Sequence, residues 1–231
     1  MLADFHTHTF LSDGVLSPIE LIRRCQVNGY TVMAISDHAS PSIIERVISE
    51  VRRDAELAAD KWGIKVLTGV ELTHVPAAAI DSAARMAKSL GAQIVLVHGE
   101  TIVEPVEPGT NLAAVRSSFV DVLAHPGLLS EDEARIASEN GVFLELSARK
   151  GHCLGNGRTA ALGLAAGAKL LVNSDSHAPG DILTSGHAQS VAKGAGLSDE
   201  QIDQVLFQNP EALLLRLAQK GSEFSGPQRT V

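Results

Sequence analysis

Seven apolar, strand-like runs along this chain each lead into a residue that can ligate a metal ion. Leu2 to Phe5 runs into His6 and His8, Val32 to Ser36 into Asp37 and His38, and Val66 to Val70 into Glu71. Further on, Ile94 to Val97 ends at His98, Val120 to Ala124 at His125, Val142 to Leu144 at Glu145, and Leu170 to Ser174 at Asp175 and His177. In His6-Thr7-His8 both imidazoles share one face of an extended chain, because strand side chains alternate with a period of two. Imidazole mixed with carboxylate suits zinc, manganese or iron. His6, His8, Asp13, His38, Glu71, His98, His125, Asp175 and His177 offer more donors than the roughly four to six that one ion uses, so two or three divalent ions are expected. Two adjacent cations lower the pKa of a shared water enough to supply hydroxide near neutral pH.

Helical segments separate the runs, and their punctuation is legible. Ser17-Pro18-Ile19-Glu20 has a serine N-cap, proline at the first helical position and glutamate three residues after the cap, which predicts a helix to about Asn28 stopped by Gly29. Amphipathic segments follow from Ser42 to Lys61 and from Ala77 to Leu90, the latter closed by Gly91. Ser130 starts a helix to about Asn140, and Ser198 starts the last one, with Asn209-Pro210 expected to break it before Glu211 to Gln219. The remaining loops read as short. Strands alternating with helices imply a parallel barrel whose strand C-termini share one face, so each strand delivers its ligands to a common site.

Composition agrees with a single α/β domain over residues 1–220, followed by a weakly ordered tail over 221–231. The chain has 231 residues, 45% hydrophobic and only 3% aromatic, so its core must be built from Ala, Val, Leu and Ile, as layered barrel interiors are. A net charge of −8 argues against nucleic acid as a partner, since phosphate backbones are gripped by Lys and Arg clusters. No apolar run is long enough to span a bilayer. The two cysteines, Cys25 and Cys153, lack the spacing of a redox or zinc motif and fit a reducing, cytoplasmic setting. Oligomeric state leaves no trace in the sequence.

Taken together, His6-Thr7-His8 with Asp13-Gly14, Asp37-His38, Gly69-Val70-Glu71, His98-Gly99, His125-Pro126 and Asp175-Ser176-His177 resemble the polymerase and histidinol phosphatase (PHP) family, in order and over most of the chain. The resemblance implies a distorted (β/α)7 barrel and a metal-dependent phosphoesterase that is histidinol-phosphatase-like. It also implies that His6, His8, Glu71 and Asp175 hold one ion, that Glu71 bridges to a second held by His98 and His125, and that Asp13, His38 and His177 hold a third. Some family members carry a histidine just beyond the Asp13 position; here Val15 and Leu16 follow Gly14.

The expected activity is therefore hydrolysis of a small phosphorylated metabolite by metal-activated water, with Glu71 and Asp175 at its centre. The alternatives are a non-catalytic metal-stabilised module and a hydrolase acting on a non-phosphate substrate. Asp37, His152 and His74 are the titratable groups left to protonate a leaving group, and His74 could instead contact substrate. Arg149 and Arg158, in the loop after Glu145, have guanidinium forks that suit a phosphate. His187 and Arg116 read as surface residues. Few aromatics lie near the ligands, with only Phe10 and Phe143 expected close, which argues against a base-stacking site.

Overall fold

The computed structural model describes residues 2–224. Seven parallel strands in the order β1 (Leu2–Asp4), β2 (Tyr30–Ile35), β4 (Lys65–Leu72), β5 (Ile94–His98), β6 (Val122–Ala124), β7 (Phe143–Ser147) and β8 (Leu170–Asn173) form the sheet, and a two-residue strand β3 (His38–Ala39) pairs with β4. A parallel bridge between Thr7 and Ser176 and the bonds His8 N–H to Ser176 O and Asp175 N–H to His6 O, both 2.9 Å, join the two ends. The result is a nearly closed, distorted (β/α)7 barrel.

Period-two alternation explains how the barrel both packs and reacts. Leu67, Ile94, Leu96, Phe143 and Leu171 point into the barrel and form one buried cluster with Ala3, Phe5, Val32, Ala34 and Val122. Continuing the same parity toward the strand C-termini gives Glu71 on β4, His98 on β5, Glu145 on β7 and Asn173 then Asp175 after β8. Apolar residues thus fill the floor, and metal-ligand types the mouth. Leu213 and Leu217 of α9 (Asn209–Phe224) plug the floor from below. A second, larger apolar cluster fills the layer between strands and outer helices.

The helices follow their signals with three differences. Helix α1 (Pro18–Val27) has Ser17 as its cap, accepting from Glu20 N–H, and α5 (Glu131–Asn140) carries a complete capping box and ends on Gly141 at φ 65°. Helix α2 (Ile44–Trp62) starts at Ile43 without a side-chain cap, and α3 (Ile80–Ser89) is preceded by a 3-10 turn over Ala77–Ala79. Asn209-Pro210 does not break the last helical stretch. A π-turn over Gln204–Gln208, with Asn209 N–H bonded to Gln204 O, links α8 (Asp199–Asp203) to α9 and widens the helix where proline would otherwise crowd the preceding turn. Buried Asn209 donates from Nδ2 to Leu170 O, fastening this turn to β8. Helix α9 runs to Phe224 and so takes in residues 221–224 of the tail expected over 221–231; residues 225–231 lie outside the described residues.

Two loops at the mouth are long, contrary to the expectation of short ones: residues 5–17 between β1 and α1, and 99–109 between β5 and α4 (Thr110–Arg116). Both carry groups that face the site. Phe143 sits in the floor cluster rather than at the mouth, because its odd register places it two residues before Glu145. Phe10 is exposed, as are His187 and Arg116. Among the described residues no helix is long and apolar enough to cross a membrane.

The floor is also tied electrostatically. Asp121, fully buried, accepts from Lys88 Nζ at 2.5 Å, from Val95 N–H at 3.0 Å and from Lys220 Nζ at 3.2 Å, linking the start of β6 to α3 and α9. Removing the carboxylate strands a buried ammonium. Asp121→Ala is expected to lower unfolding free energy by about 3 kcal/mol in denaturant titrations. Asp132→Ala, on the exposed face of α5, should cost under about 1 kcal/mol.

Candidate metal centre

At the barrel mouth the strand ends, with Asp13 from the loop after His8, gather the expected ligands into overlapping groups, although none of these groups joins Glu71 to His98. Glu71 is wholly buried and lies among four imidazoles: its Oε1 is 3.3 Å from His6 Nε2 and 3.4 Å from His125 Nε2, and its Oε2 is 2.7 Å from His38 Nδ1 and 3.7 Å from His8 Nε2. Each oxygen serves a different side of the cluster. Asp175 lies opposite, with Oδ1 3.3 Å from His8 Nε2, 3.4 Å from His177 Nδ1 and 3.7 Å from His6 Nε2, and Oδ2 3.7 Å from His125 Nε2. Asp13 Oδ1 is 3.1 Å from His177 Nε2 and 3.5 Å from His38 Nε2.

Among the described residues, four sets of donors are close enough to hold an ion: His6, His8 and Asp175; His6, Glu71 and His125; His98, His125 and His152; and His8, Asp13, His38 and His177. The last contains the third set implied by the family resemblance, with His8 added. The set built on His98 and His125 contains His152, which the sequence offered as a proton donor. The donors also have the vacant valences that an ion requires. His6 Nε2, both ring nitrogens of His8, Glu71 Oε1, and Nδ1 of His98, His125 and His152 are buried without a hydrogen-bond partner. Buried polar atoms are seldom left so, and unpartnered ring nitrogens and a carboxylate oxygen within these donor sets fit divalent cations.

Backbone and neighbouring groups fix this geometry. His125 and Asp175 adopt φ of 24° and 52°, in the left-handed region that ordinary residues avoid, and His74 adopts 51°. Such strain is held only where surrounding structure over-determines it. Glu145, a strand-end carboxylate left outside the ligand set, contacts His6 Nδ1 at 2.8 Å and so orients that ring toward the cluster. Asn173 donates to Glu145 Oε2 and accepts from Phe5 N–H, which locks the carboxylate in turn. Asp4 is buried beneath, accepting from His6 N–H, Ser174 N–H and the Tyr30 hydroxyl; burial pushes its carboxyl up to about 6.

The loop after His8 is clamped by Asp37. Its carboxylate accepts from Thr9 N–H at 2.6 Å, Thr9 Oγ1 at 2.7 Å and Ser12 Oγ at 2.7 Å. Although burial raises its pKa, both oxygens are engaged by the loop, so the structure makes Asp37 the clamp that presents Asp13 rather than a proton donor. Gly14 permits the fold-back, since a Cβ there would lie 2.4 Å from His8 O.

The other expected residues divide. Arg149 reaches across the mouth, donating to His177 Nδ1 at 2.7 Å and Asp175 O at 3.2 Å. Arg158 instead donates from Nε to Leu129 O at 2.6 Å, which takes it away from the cluster and toward the α5 loop. His74 is exposed at the rim, its ring 5.5 Å from that of His98. Glu104, absent from the sequence analysis, enters from the long 99–109 loop: its Oε2 is 3.0 Å from His98 Nε2 and its Oε1 is 3.2 Å from His152 Nε2. Nothing periodic marks it in the sequence. Only the length of its loop could have drawn attention to it.

The electrostatics follow from crowding. Burial alone would lower the pKa of His6, but Glu145, Glu71 and Asp175 outweigh it and raise it well above the ordinary value. His38 is likewise lifted against burial, to about 10, by Glu71 and Asp13. Burial would raise Glu71 and Asp175, yet the surrounding imidazoles, His6 foremost, hold both low. Burial pushes His8 down to about 3 and His98 to about 4, with neighbouring imidazoles adding to the shift. At neutral pH the ion-free cluster therefore keeps protons on His6 and His38. A cation must displace them, because only the unprotonated nitrogen binds. Divalent-ion uptake should release protons and tighten as pH rises toward about 10, the range in which His38 gives up its proton. Calorimetric titration in two buffers of different ionisation enthalpy checks it, and heats independent of the buffer would contradict the expectation.

With this geometry in place, comparison with known proteins is informative. The PHP domain profile matches residues 4–103, the stretch that carries His6 through His98. An uncharacterised protein of Methanocaldococcus jannaschii is 44% identical over 218 residues, covering 94% of this chain and all of that one. A probable phosphatase of Thermoanaerobacter is 26% identical over 221 residues, 87% of this chain and 89% of that one. Among solved structures, a chain in the cryo-EM structure of archaeal ribonuclease P with mature tRNA superposes with a TM-score of 0.69 at 14% identity, covering 99% of this chain and 94% of that one; at that identity the likeness is one of fold. Similarity carried across nearly the whole length, on a barrel whose mouth gathers these histidines and carboxylates, leaves one conclusion: the chain belongs to the PHP family.

Proposed function

We propose that this protein is a metal-dependent phosphoesterase that hydrolyses a small phosphorylated metabolite, a phosphomonoester of the histidinol phosphate kind. The observation that carries the reading is Glu71, a fully buried carboxylate whose two oxygens face two different groups of imidazoles. That is the disposition of a carboxylate shared between neighbouring cations. His6, His8, Glu71 and Asp175 would hold one ion, Glu71, His98 and His125 a second, and Asp13, His38 and His177 a third. Bound there, zinc, manganese or iron would supply a water-derived nucleophile at neutral pH and charge stabilisation for the phosphoryl oxygens.

The chain's own groups do the rest. Glu145 keeps His6 Nε2 turned toward Glu71 and Asp175 by engaging Nδ1. Asp37 fixes the loop that presents Asp13. Arg149 stands at the rim with its guanidinium on His177 and Asp175, placed to meet an incoming phosphate. His152 lines the side of the cluster beside His125, ring centroids 4.2 Å apart. The acidic chain, at −8, and the scarcity of aromatics at the mouth favour a small substrate over a nucleic acid.

The test is a panel of phosphomonoesters and a short oligoribonucleotide, offered to protein loaded in turn with zinc, manganese and iron. Turnover of a small phosphomonoester supports the reading, while cleavage of the oligoribonucleotide alone would overturn it. Glu71→Gln should abolish turnover with the fold retained by circular dichroism, because a neutral amide cannot bridge two cations. His74→Ala should lose far less. Arg149→Lys should lower kcat/KM about thirty-fold, or about 2 kcal/mol, chiefly through KM, since a point charge cannot replace a bidentate fork. Arg116→Ala, on an outer helix, should leave the constants unchanged.

A further inference from the structure

We infer that Glu104 and His152 are ion ligands, and that with His98 and His125 they form a site of three imidazoles and one carboxylate on the β5–β6 side of the mouth. This rests on the metal-dependent reading and goes beyond the ligand set that the strand ends supply. A ring nitrogen from each of His98, His125 and His152 lies within 4.8 Å of those of the other two. Glu104 approaches two of the three, with Oε2 3.0 Å from His98 Nε2 and Oε1 3.2 Å from His152 Nε2. Donors about 2.0–2.2 Å from a tetrahedral ion stand about 3.3 Å from one another, so these separations match edges of a coordination shell. Nδ1 of all three rings is buried and lacks a hydrogen-bond partner, so the imidazoles are not a self-satisfied polar network.

The loop that delivers Glu104 is built to hold it there. Glu100 Oε1 accepts from Gly109 and Asn111 N–H, and Asn111 accepts from Glu100 N–H while donating to Pro126 O, beside His125. Both ends of the loop are thereby pinned to the β6 side. On its far flank Val103 packs against Gly151, which takes φ 90°; a Cβ at that position would lie 3.3 Å from Val103 Cγ1. Gly151 therefore lets the turn carrying His152 meet the loop carrying Glu104. Two segments without a share in the strand-end pattern converge on His98 and His125 from outside the sheet.

The alternative is that Glu104 only hydrogen-bonds two neutral imidazoles. Titrating metal-free protein with cobalt(II), read by visible absorption and by calorimetry, separates the two. Glu104→Gln, which keeps the shape of the side chain, and His152→Ala should each weaken one of the bound ions by about a hundred-fold and alter the ligand-field bands of that ion, leaving the others as in the parent. His74→Ala, at the exposed rim beside His98, is the control and should bind as the parent does. Far-UV circular dichroism of the metal-free variants should match the parent. If the parent takes up its ions and both variants bind them with the same stoichiometry, affinity and spectrum, the assignment is overturned while the metal-dependent reading stands. A parent that takes up no ion overturns both.

Discussion

A single carboxylate buried among imidazoles organises this molecule. Glu71 has no access to water, and each of its oxygens lies against ring nitrogens from different parts of the chain: His6 and His125 on one side, His8 and His38 on the other. A buried carboxylate is tolerated only when it is paired and satisfied, and here positive charge must come either from protonated rings or from cations. Everything around Glu71 follows from supplying that charge in a fixed geometry. Parallel strands deliver one or two donors each at their C-termini, and Asp175 faces the same imidazoles from across the barrel.

Much of this is legible from sequence because the physics is local and periodic. Side chains alternate along a strand, so once a run such as Ile94 to Val97 is seen as half facing a barrel interior, the face presented by His98 follows. The capping box at Ser130 and the glycine at 141 work the same way, since the orphaned amides and carbonyls of a helix end need those residues. What escaped notice depends on long-range placement. Glu104 comes from an eleven-residue loop without periodicity, and its partner His152 lies 48 residues away. Asp37 and His38 are adjacent with similar chemistry, and only the fold shows that one holds a loop while the other faces Glu71. Pro210 obeys a local rule that the π-turn before it evades.

Glu145 shows a subtler limit. It ends a strand run as visibly as Glu71 does, yet it contacts the outer nitrogen of His6 rather than facing the rings collectively. Strand parity places both carboxylates inside the barrel, and cannot say which one touches Nδ1 and which Nε2. Such an orienting carboxylate settles the tautomer and makes the facing nitrogen a better donor. Asn173 and Asp4 extend the support downward, so the chain of hydrogen bonds from Phe5 N–H to Glu145 makes the lower mouth rigid before any ion is considered.

Rigidity of this kind has a cost that the rest of the barrel offsets. His125 and Asp175 sit in strained backbone conformations, and seven polar atoms of the cluster, Glu71 Oε1 among them, lack hydrogen-bond partners. Each is locally unfavourable by about 1–3 kcal/mol. The extensive apolar layer between strands and helices, together with the Asp121 ties to α3 and α9 at the floor, stabilises the barrel without involving the mouth. The two ends of the strands therefore divide the work. The floor can be apolar and conventional because it carries stability, and the mouth can keep its donors unsatisfied because the floor does not depend on it. That separation is what lets a site stay preorganised for cations instead of relaxing to satisfy itself.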